Sequence, residues 1–205
     1  LPIENNVLKT FSIENEPVVE LVNNREREYI FADLPDIGYS TDIDTVMASS
    51  YQVKKQLQQI VKIEQPITNT LLYKRILRIW NLTRVTTRLQ VFIDNLLEDA
   101  YKDPLSGDTI IYWEDEEKAK DCDFYRINSK RDILDIPILE VMSAARYAIE
   151  QQISMPTEDL KRLTSQLLGF SRKGNNLDMV TEQTIQLLID QGIFSHANGM
   201  VSMNN

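Results

Sequence analysis

Basic, hydroxyl and amide side chains are concentrated in two short segments of the chain, and such side chains suit contacts with a nucleic acid. Arginine can pair bidentately with guanine and asparagine with adenine, whereas serine, threonine and lysine suit phosphate groups. The sequence therefore predicts these candidate nucleic-acid-binding residues: Arg75, Arg78, Thr83, Arg84, Thr87, Arg88, Ser171, Arg172, Lys173 and Asn175.

The charge distribution supports these two segments, although the net charge of the chain is −9 and by itself disfavours binding to a polyanion. Residues 65–93 contain five basic side chains and no acidic one, and residues 160–177 contain four basic side chains and no acidic one. Acidic side chains are concentrated instead in residues 1–50 and 101–137, with ten in each. Any binding to nucleic acid is therefore expected to be local to the two basic segments.

Catalytic chemistry has little support in the sequence. His196 is the single histidine and lies in a predicted hairpin, while the acidic neighbours of the single cysteine, Cys122, are expected to raise its thiol pKa. One histidine and one cysteine cannot form a Cys/His metal site, and no glycine-rich phosphate loop occurs. Pro35-Asp36 and Glu116-Glu117-Lys118 superficially suggest a metal-dependent nuclease, but we interpret the second group as a solvated loop. We therefore expect no catalytic residue, no metal and no cofactor.

Three predicted helices and a hairpin position the first basic segment. Apolar residues at helical spacing predict a helix from residue 50 to just before Pro66, and Thr68 or Asn69 caps a second helix. A third helix is predicted over residues 83–100, with a β-hairpin after it. This is the element order of a winged helix, an elaborated helix–turn–helix.

The same order recurs in the second half of the chain. Helices are predicted over residues 137–152, from residue 157 to Gly169, and over residues 177–191. The closing hairpin turns at Asn198-Gly199, the residue pair that favours a type I′ turn because both positions need positive φ.

The two halves match at an offset of 88 residues, which predicts a duplicated unit. Asn81-Leu82-Thr83-Arg84 aligns with Gly169-Phe170-Ser171-Arg172, so a hydroxyl residue and an arginine recur at the turn before each third helix. We expect about three additional residues around Gly174 in the second copy. The sequence thus predicts a mainly α fold with small β-hairpins, arranged as a tandem winged helix.

This fold prediction divides the chain into four parts. Residues 1–48 form a linker or N-terminal extension with one or two strands, and residues 49–114 form the first module. Residues 115–136 form an acidic connector, and residues 137–205 form the second module.

A series of short motifs carries a resemblance to a known family. The motifs are Ile60-Val61, Glu64-Gln65-Pro66-Ile67, Arg75-Ile76, Trp80-Asn81-Leu82-Thr83-Arg84, Tyr112-Trp113, Tyr125-Arg126, Arg131, Ile136-Pro137, Glu140 and Leu168-Gly169-Phe170-Ser171-Arg172. In this order they resemble an uncharacterised domain at the C-terminal end of large bacterial proteins that combine a superfamily 1 helicase with a Vsr-like endonuclease. The resemblance covers about residues 50–203, and Gln65 and Thr68 depart from the glycine and histidine that the family favours.

The resemblance implies that ATPase and nuclease chemistry belongs to other domains of a longer parent chain, which agrees with the absence of Met at residue 1. It implies a non-catalytic accessory module that engages DNA, with the helicase and nuclease domains of the same chain as partners. The alternative is a protein–protein or interdomain docking module without nucleic-acid contact, in which residues 115–123 or 1–48 contact another domain.

The expected location is cytoplasmic. No apolar run approaches the length of a membrane span, and a single cysteine fits a reducing compartment. We accordingly expect neither a membrane nor a small-molecule substrate among the partners.

Overall fold

The computed structural model describes residues 24–106, 109–127 and 130–204, and within them it contains eight α-helices and three small β-sheets. The helices are α1 (Ile43–Ala48), α2 (Ser50–Glu64), α3 (Asn69–Ile79), α4 (Thr87–Leu96), α5 (Glu116–Lys120), α6 (Ile138–Glu150), α7 (Thr157–Leu167) and α8 (Asn175–Asp190). The strands are β1 (Glu26–Glu28), β2 (Ile67–Thr68), β3 (Tyr101–Lys102), β4 (Ile111–Trp113), β5 (Tyr125–Ile127), β6 (Met155–Pro156), β7 (Phe194–Ala197) and β8 (Met200–Met203). Short 3₁₀ turns occupy Pro104–Ser106 and Ile133–Asp135.

The chain is therefore a mixed α/β structure in which helices predominate. The part of the predicted N-terminal extension before residue 24, and residues 107 and 108 of the first predicted hairpin, lie outside the described residues. We call residues 24–48 the strap, and keep the names first module, connector and second module for residues 49–114, 115–136 and 137–205.

Threonine side chains cap the N-termini of α3 and α4 in the first module. The Thr68 hydroxyl accepts a hydrogen bond from the backbone N–H of Leu71 at 3.3 Å and begins α3, and the Thr86 hydroxyl accepts from Leu89 at 3.2 Å and begins α4. The prediction that the third helix begins near Thr83 is thus wrong, because the cap at Thr86 sets the first helical residue at Thr87. In the second module the corresponding helix begins at residue 175, two residues earlier than predicted.

The repeat is more regular than the sequence indicates. Helices α3 and α7 begin at Asn69 and Thr157, and α4 and α8 begin at Thr87 and Asn175. Each of these pairs is 88 residues apart, so the expected additional residues around Gly174 are absent between α7 and α8. The difference in length lies later in the units, where α8 has 16 residues and α4 has ten.

The turns after α3 and α7 are the same structure built twice. The backbone N–H of Leu82 donates to the carbonyl of Leu77 at 2.9 Å, and that of Phe170 donates to Ser165 at 2.9 Å. The residues between, Asn81 and Gly169, have φ of 53° and 89°, which is the left-handed conformation. This six-to-one bond with a left-handed residue is the Schellman helix end, which turns the chain toward the following helix.

Each module also closes with an antiparallel sheet of three short strands, in the same spatial order. The order is β2–β4–β3 in the first module and β6–β8–β7 in the second. Asn198 and Gly199 have φ of 54° and 75°, which confirms the predicted type I′ turn between β7 and β8.

The connector is structured, and the strap is paired with it. Residues Glu116–Lys120 lie on the surface as expected, but they form helix α5 rather than the predicted loop, because the Asp115 side chain caps them. Strand β5 follows and pairs in parallel with β1, with Glu26 opposite Tyr125. The Arg25 guanidinium bonds to the carboxylates of Asp123 and Glu150, at 3.0 Å from Asp123. Further along the strap, Ala32 and Val46 are buried in the core of the first module. Residues 24–48 therefore contact all three other parts of the chain.

A buried carboxylate joins the connector to both modules. Glu140, in the first turn of α6, is fully buried and accepts bonds from Arg131 at 2.7 and 2.8 Å and from Arg126 at 2.5 Å. The same Arg126 guanidinium donates to the backbone carbonyls of Glu64 at 2.7 Å and Pro66 at 2.6 Å. The end of α2, the connector and the start of α6 thus meet at one ion cluster.

A second buried carboxylate lies beside the first. Glu64 is fully buried and accepts bonds from the Arg75 guanidinium at 2.9 to 3.1 Å, from the backbone N–H of Ala32 at 3.1 Å and from the Tyr29 hydroxyl. The Tyr29 ring lies 4.3 Å from the Arg131 guanidinium carbon, a distance at which cation–π attraction is effective. Tyr29 therefore connects the two ion clusters.

The ionised state of Glu140 is favoured inside the protein. Burial opposes the charged form, but the charges of Arg126 and Arg131 and their hydrogen bonds outweigh burial, so the pKa of Glu140 lies below its ordinary value of 4.5. The carboxylate consequently stays charged at neutral pH and neutralises the guanidinium groups around it.

We expect Glu140→Gln to lower the free energy of unfolding by about 3–5 kcal/mol, because it removes the buried carboxylate that the guanidinium groups of Arg126 and Arg131 share. Urea denaturation followed by circular dichroism measures this loss. Glu117→Gln, on the exposed surface of α5, removes a carboxylate without burial and should change the free energy by less than about 0.5 kcal/mol. Equal effects of the two substitutions would contradict a structural role for the Glu140 cluster.

The same cluster predicts a pH dependence. Because the pKa of Glu140 is lower in the folded state than in the unfolded chain, its contribution to stability is complete above about pH 4.5 and is lost as pH falls through the folded-state pKa. The difference in free energy of unfolding between wild type and Glu140→Gln should therefore be constant between about pH 6 and 8 and shrink below about pH 4.5. Urea titrations at each pH measure this difference, and a constant value down to low pH would contradict it.

Candidate nucleic-acid interface

The structure groups most of the predicted binding residues at two equivalent places. Thr83 and Arg84 lie in the turn between α3 and α4, and Thr87 and Arg88 begin α4. The matching residues of the second module lie at the corresponding place. Ser171, Arg172 and Lys173 are in the turn between α7 and α8, and Asn175 is the first residue of α8. These eight side chains are all exposed.

Arg75 belongs to the interior. Its side chain is only 16% exposed and its guanidinium donates to Glu64 and to the Tyr29 hydroxyl. A phosphate could compete for this guanidinium only by leaving the Glu64 carboxylate buried without its cation, which is costly. We therefore remove Arg75 from the set of candidate binding residues.

Arg78 keeps an exposed side chain on the same helix. Its guanidinium lies 5.3 Å from the Phe31 ring in the strap. Lys74, one helical turn before it, donates to the buried Asp135 carboxylate at 2.7 Å. Of the cations on α3, Arg78 is thus the one whose charge remains available at the surface.

The outward face of α4 combines residue types that suit a DNA groove. Thr87, Arg88, Val91 and Asn95 are exposed and recur at helical spacing. The acidic residue of this helix, Asp94, faces inward and accepts hydrogen bonds from the Tyr73 hydroxyl at 2.8 Å and the Tyr112 hydroxyl at 3.2 Å. Its carboxylate is therefore held by hydroxyl groups away from the outward face.

Arg88 itself is paired with the strap. Its guanidinium lies 2.8 Å from the carboxylate of Asp44 in α1, and the two side chains are 58% and 73% exposed. An exposed pair of this kind contributes at most about 1 kcal/mol. A ligand that binds Arg88 more strongly can therefore displace Asp44.

The second module places its basic residues among acids. A surface groove of about 270 Å³ runs between α7 and the start of α8, and Arg172 and Lys173 are among the residues that line it. In the same groove, Lys161 pairs with Glu158 at 3.3 Å and Arg162 pairs with Asp159 at 3.0 Å.

The outward face of α8 differs from that of α4. Asp178 and Glu182 are exposed there at helical spacing, together with Met179 and Gln183. Glu182 also lies 3.6 Å from the Lys161 ammonium group. Acidic side chains along this face would repel phosphate groups, so α8 is less suited than α4 to enter a DNA groove.

The two basic segments contain no acidic residue in sequence, but the fold brings carboxylates from other segments close to their cations. Carboxylates from other segments pair with Lys74, Arg75, Arg88, Lys161 and Arg162. Within the described residues, the cations of these segments that are exposed and have no ion pair are Arg78, Arg84, Arg172 and Lys173.

Other kinds of site find little support in the described part of the chain. No three His, Cys, Asp or Glu side chains there are grouped closely enough to hold a metal ion. None of the helices described is both long and apolar enough to cross a bilayer. His196 is exposed on β7, in the closing hairpin of the second module.

Cys122 is a poor nucleophile for a reason that the sequence did not show. Burial raises the pKa of its thiol to about 12, and the next cause is the charge of Glu140 rather than the neighbouring aspartates. We expect iodoacetamide at about pH 8 to leave Cys122 unmodified in the folded protein and to alkylate it in urea, because the thiolate is the reactive form. Mass spectrometry measures the modification, and rapid alkylation without urea would contradict the burial of the thiol.

Comparisons with known proteins bear on the first module. Residues 48–91 match a family described as "Protein of unknown function (DUF3320)". No curated protein and no solved structure matches the chain. The matched range runs from the end of α1 through the first half of α4 and includes the buried Glu64–Arg75 pair and the exposed Arg84 and Arg88. The first module is thus similar, over α2, β2, α3 and the start of α4, to a domain family of unknown function.

Proposed function

We propose that this chain is a non-catalytic accessory module that binds duplex DNA, and that its two modules are winged helices. The winged-helix interpretation is supported by the recurrence of three helices and a three-stranded sheet, with the central strand last in sequence in both modules. In helix–turn–helix proteins the second helix of the motif enters the major groove with its N-terminal residues at base edges. Here these helices are α4 and α8.

The observation that carries the proposal is the outward face of α4. It presents Arg88, Val91 and Asn95 in a row, with its one acidic residue held inward by two tyrosine hydroxyls. Arg84 is exposed in the turn immediately before it, where it can reach a phosphate or a base edge. We propose that α4 reads the major groove and that Ser171, Arg172, Lys173 and Asn175 contact the flanking backbone.

The proposal extends to the context of the chain. The short motifs of the sequence support an accessory role beside helicase and nuclease domains of a longer bacterial protein, which would act in the cytoplasm and supply the chemistry. The chain itself would need no cofactor and no small-molecule substrate.

A second candidate function is docking to another domain without contact to nucleic acid. It is favoured by the acidic outward face of α8 and by an apolar groove of about 420 Å³ between α8 and the connector, where Leu134 and Met179 are exposed. Binding of DNA distinguishes the two functions, because the docking function predicts none.

Fluorescence anisotropy with a labelled duplex of about two helical turns tests the proposal. We expect micromolar affinity at low salt that falls as salt rises, with a slope set by the number of phosphates contacted. Arg84→Ala/Arg88→Ala should weaken binding at least about tenfold, because a base-reading arginine is worth about 1–3 kcal/mol. Arg172→Ala/Lys173→Ala should weaken binding less and lower the salt slope by up to about 2.

Lys118→Ala/Lys120→Ala is the matched control, because it removes two exposed cations from α5, on the surface of the connector. It should leave the affinity within about twofold of wild type. The proposal fails if wild type does not bind at low salt, or if the Arg84/Arg88 variant binds as tightly as this control.

A further inference from the structure

The strap lies against the helix that we propose to read DNA. Residues 37–41 of the strap lie against the end of α3. The backbone N–H of Ile37 donates to the carbonyl of Ile79 at 2.9 Å, and the Thr41 hydroxyl donates to the carbonyl of Trp80. Helix α1 then begins with Asp42 as its cap and brings Asp44 to Arg88. The strap therefore runs along the end of α3 and contacts the first turn of α4 through Asp44.

The part of the strap in this region is acidic. Asp36, Asp42 and Asp44 are all exposed, and no Lys or Arg occurs between residues 33 and 44. Two of these carboxylates also accept bonds from the strap itself, since Asp36 accepts from Gly38 at 2.8 Å and Asp42 accepts from Thr45 at 2.8 Å. Asp44 is the one that reaches across to a cation of α4.

We infer that the strap is an autoinhibitory element of the proposed DNA-binding surface, in which the Asp44 carboxylate pairs with the Arg88 guanidinium and must be displaced when DNA binds there. This inference rests on the proposed function. Duplex DNA must break the exposed Asp44–Arg88 pair to use Arg88, and it must approach the carboxylates of Asp36 and Asp42. Both effects lower the affinity without blocking the surface, because neither side chain of the pair is buried.

The physical form of this inhibition is electrostatic, which gives it a salt dependence. At about 10 mM salt the charges of the strap act over roughly 30 Å, whereas at about 150 mM they act over roughly 8 Å. The inhibition should therefore be strongest at low salt and weaken as salt rises.

Asp44→Asn tests the inference without disturbing the core, because Asp44 is exposed and the cap of α1 is Asp42. Deletion of the strap is unsuitable, since Tyr29, Ala32 and Val46 are buried. We expect Asp44→Asn to raise the affinity for the duplex about two- to fivefold at about 10 mM salt, the range that an exposed ion pair can contribute, and less at about 150 mM salt. Fluorescence anisotropy of the full chain measures both values.

A matched control is available at the other end of the first module. Asp99 forms an exposed pair with Lys54 at 3.3 Å, just beyond the last residue of α4. Asp99→Asn changes the net charge by the same amount, so it reports the general effect of one lost carboxylate. The gain from Asp44→Asn should exceed the gain from Asp99→Asn.

A double-substitution cycle decides whether Arg88 transmits the effect. In an Arg88→Ala background, Asp44→Asn should raise the affinity no more than Asp99→Asn does, because the pair is already absent. An equal gain with and without Arg88, no gain beyond the Asp99 control, or a loss of affinity would overturn the autoinhibitory role while leaving the DNA-binding function intact. Absence of binding by wild type and Asp44→Asn alike at low salt would overturn the proposed function, and this inference with it.

Discussion

The Glu140 carboxylate and the two guanidinium groups that share it fix the relative positions of the modules. Arg126 and Arg131 both come from the connector, and Arg126 also donates to carbonyls at the end of α2. Arg126 has all of these partners only when the end of α2, the connector and α6 are in place together, and a buried charge that loses its partner costs several kcal/mol. The cluster therefore helps to specify the arrangement of the two modules, together with the strap, the Lys74–Asp135 pair and the apolar contacts around β4, β5 and the 3₁₀ turn at Ile133–Asp135.

Local sequence patterns predict the helices and strands of the modules, but they do not predict this ion cluster. Apolar spacing, threonine caps and turn residues act over a few residues, and they predicted the three helices of each module and the second hairpin, although not the first residues of α4 and α8. Arg126 lies in a stretch where acidic residues outnumber basic ones, a composition typical of a solvated surface. Its carbonyl acceptors are about 60 residues away in the sequence, so local patterns do not reveal that it is buried. Arg75 was misplaced for the same reason, since its partner Glu64 lies on another helix.

The charged residues that carry the sequence resemblance divide into those buried in the two ion clusters and those exposed at the turns. The buried ones are Glu64, Arg75, Arg126, Arg131 and Glu140. The exposed ones are Arg84 and Arg172. Most of the charged residues that carry the resemblance thus stabilise the interior, and only Arg84 and Arg172 among them are exposed to a ligand.

The parallel pairing of β1 with β5 has a consequence for the order in which the protein folds. It joins segments about 100 residues apart, and the Arg25–Glu150 contact spans 125 residues. Contacts of such sequence separation require a large loop to close before they contribute energy, whereas the helical turns of each module form locally. During synthesis the strap leaves the ribosome before both modules, but its β1 strand and Arg25 acquire their partners only after β5 and α6 have emerged. The β1 end of the strap is therefore among the last of the described segments to take its native place.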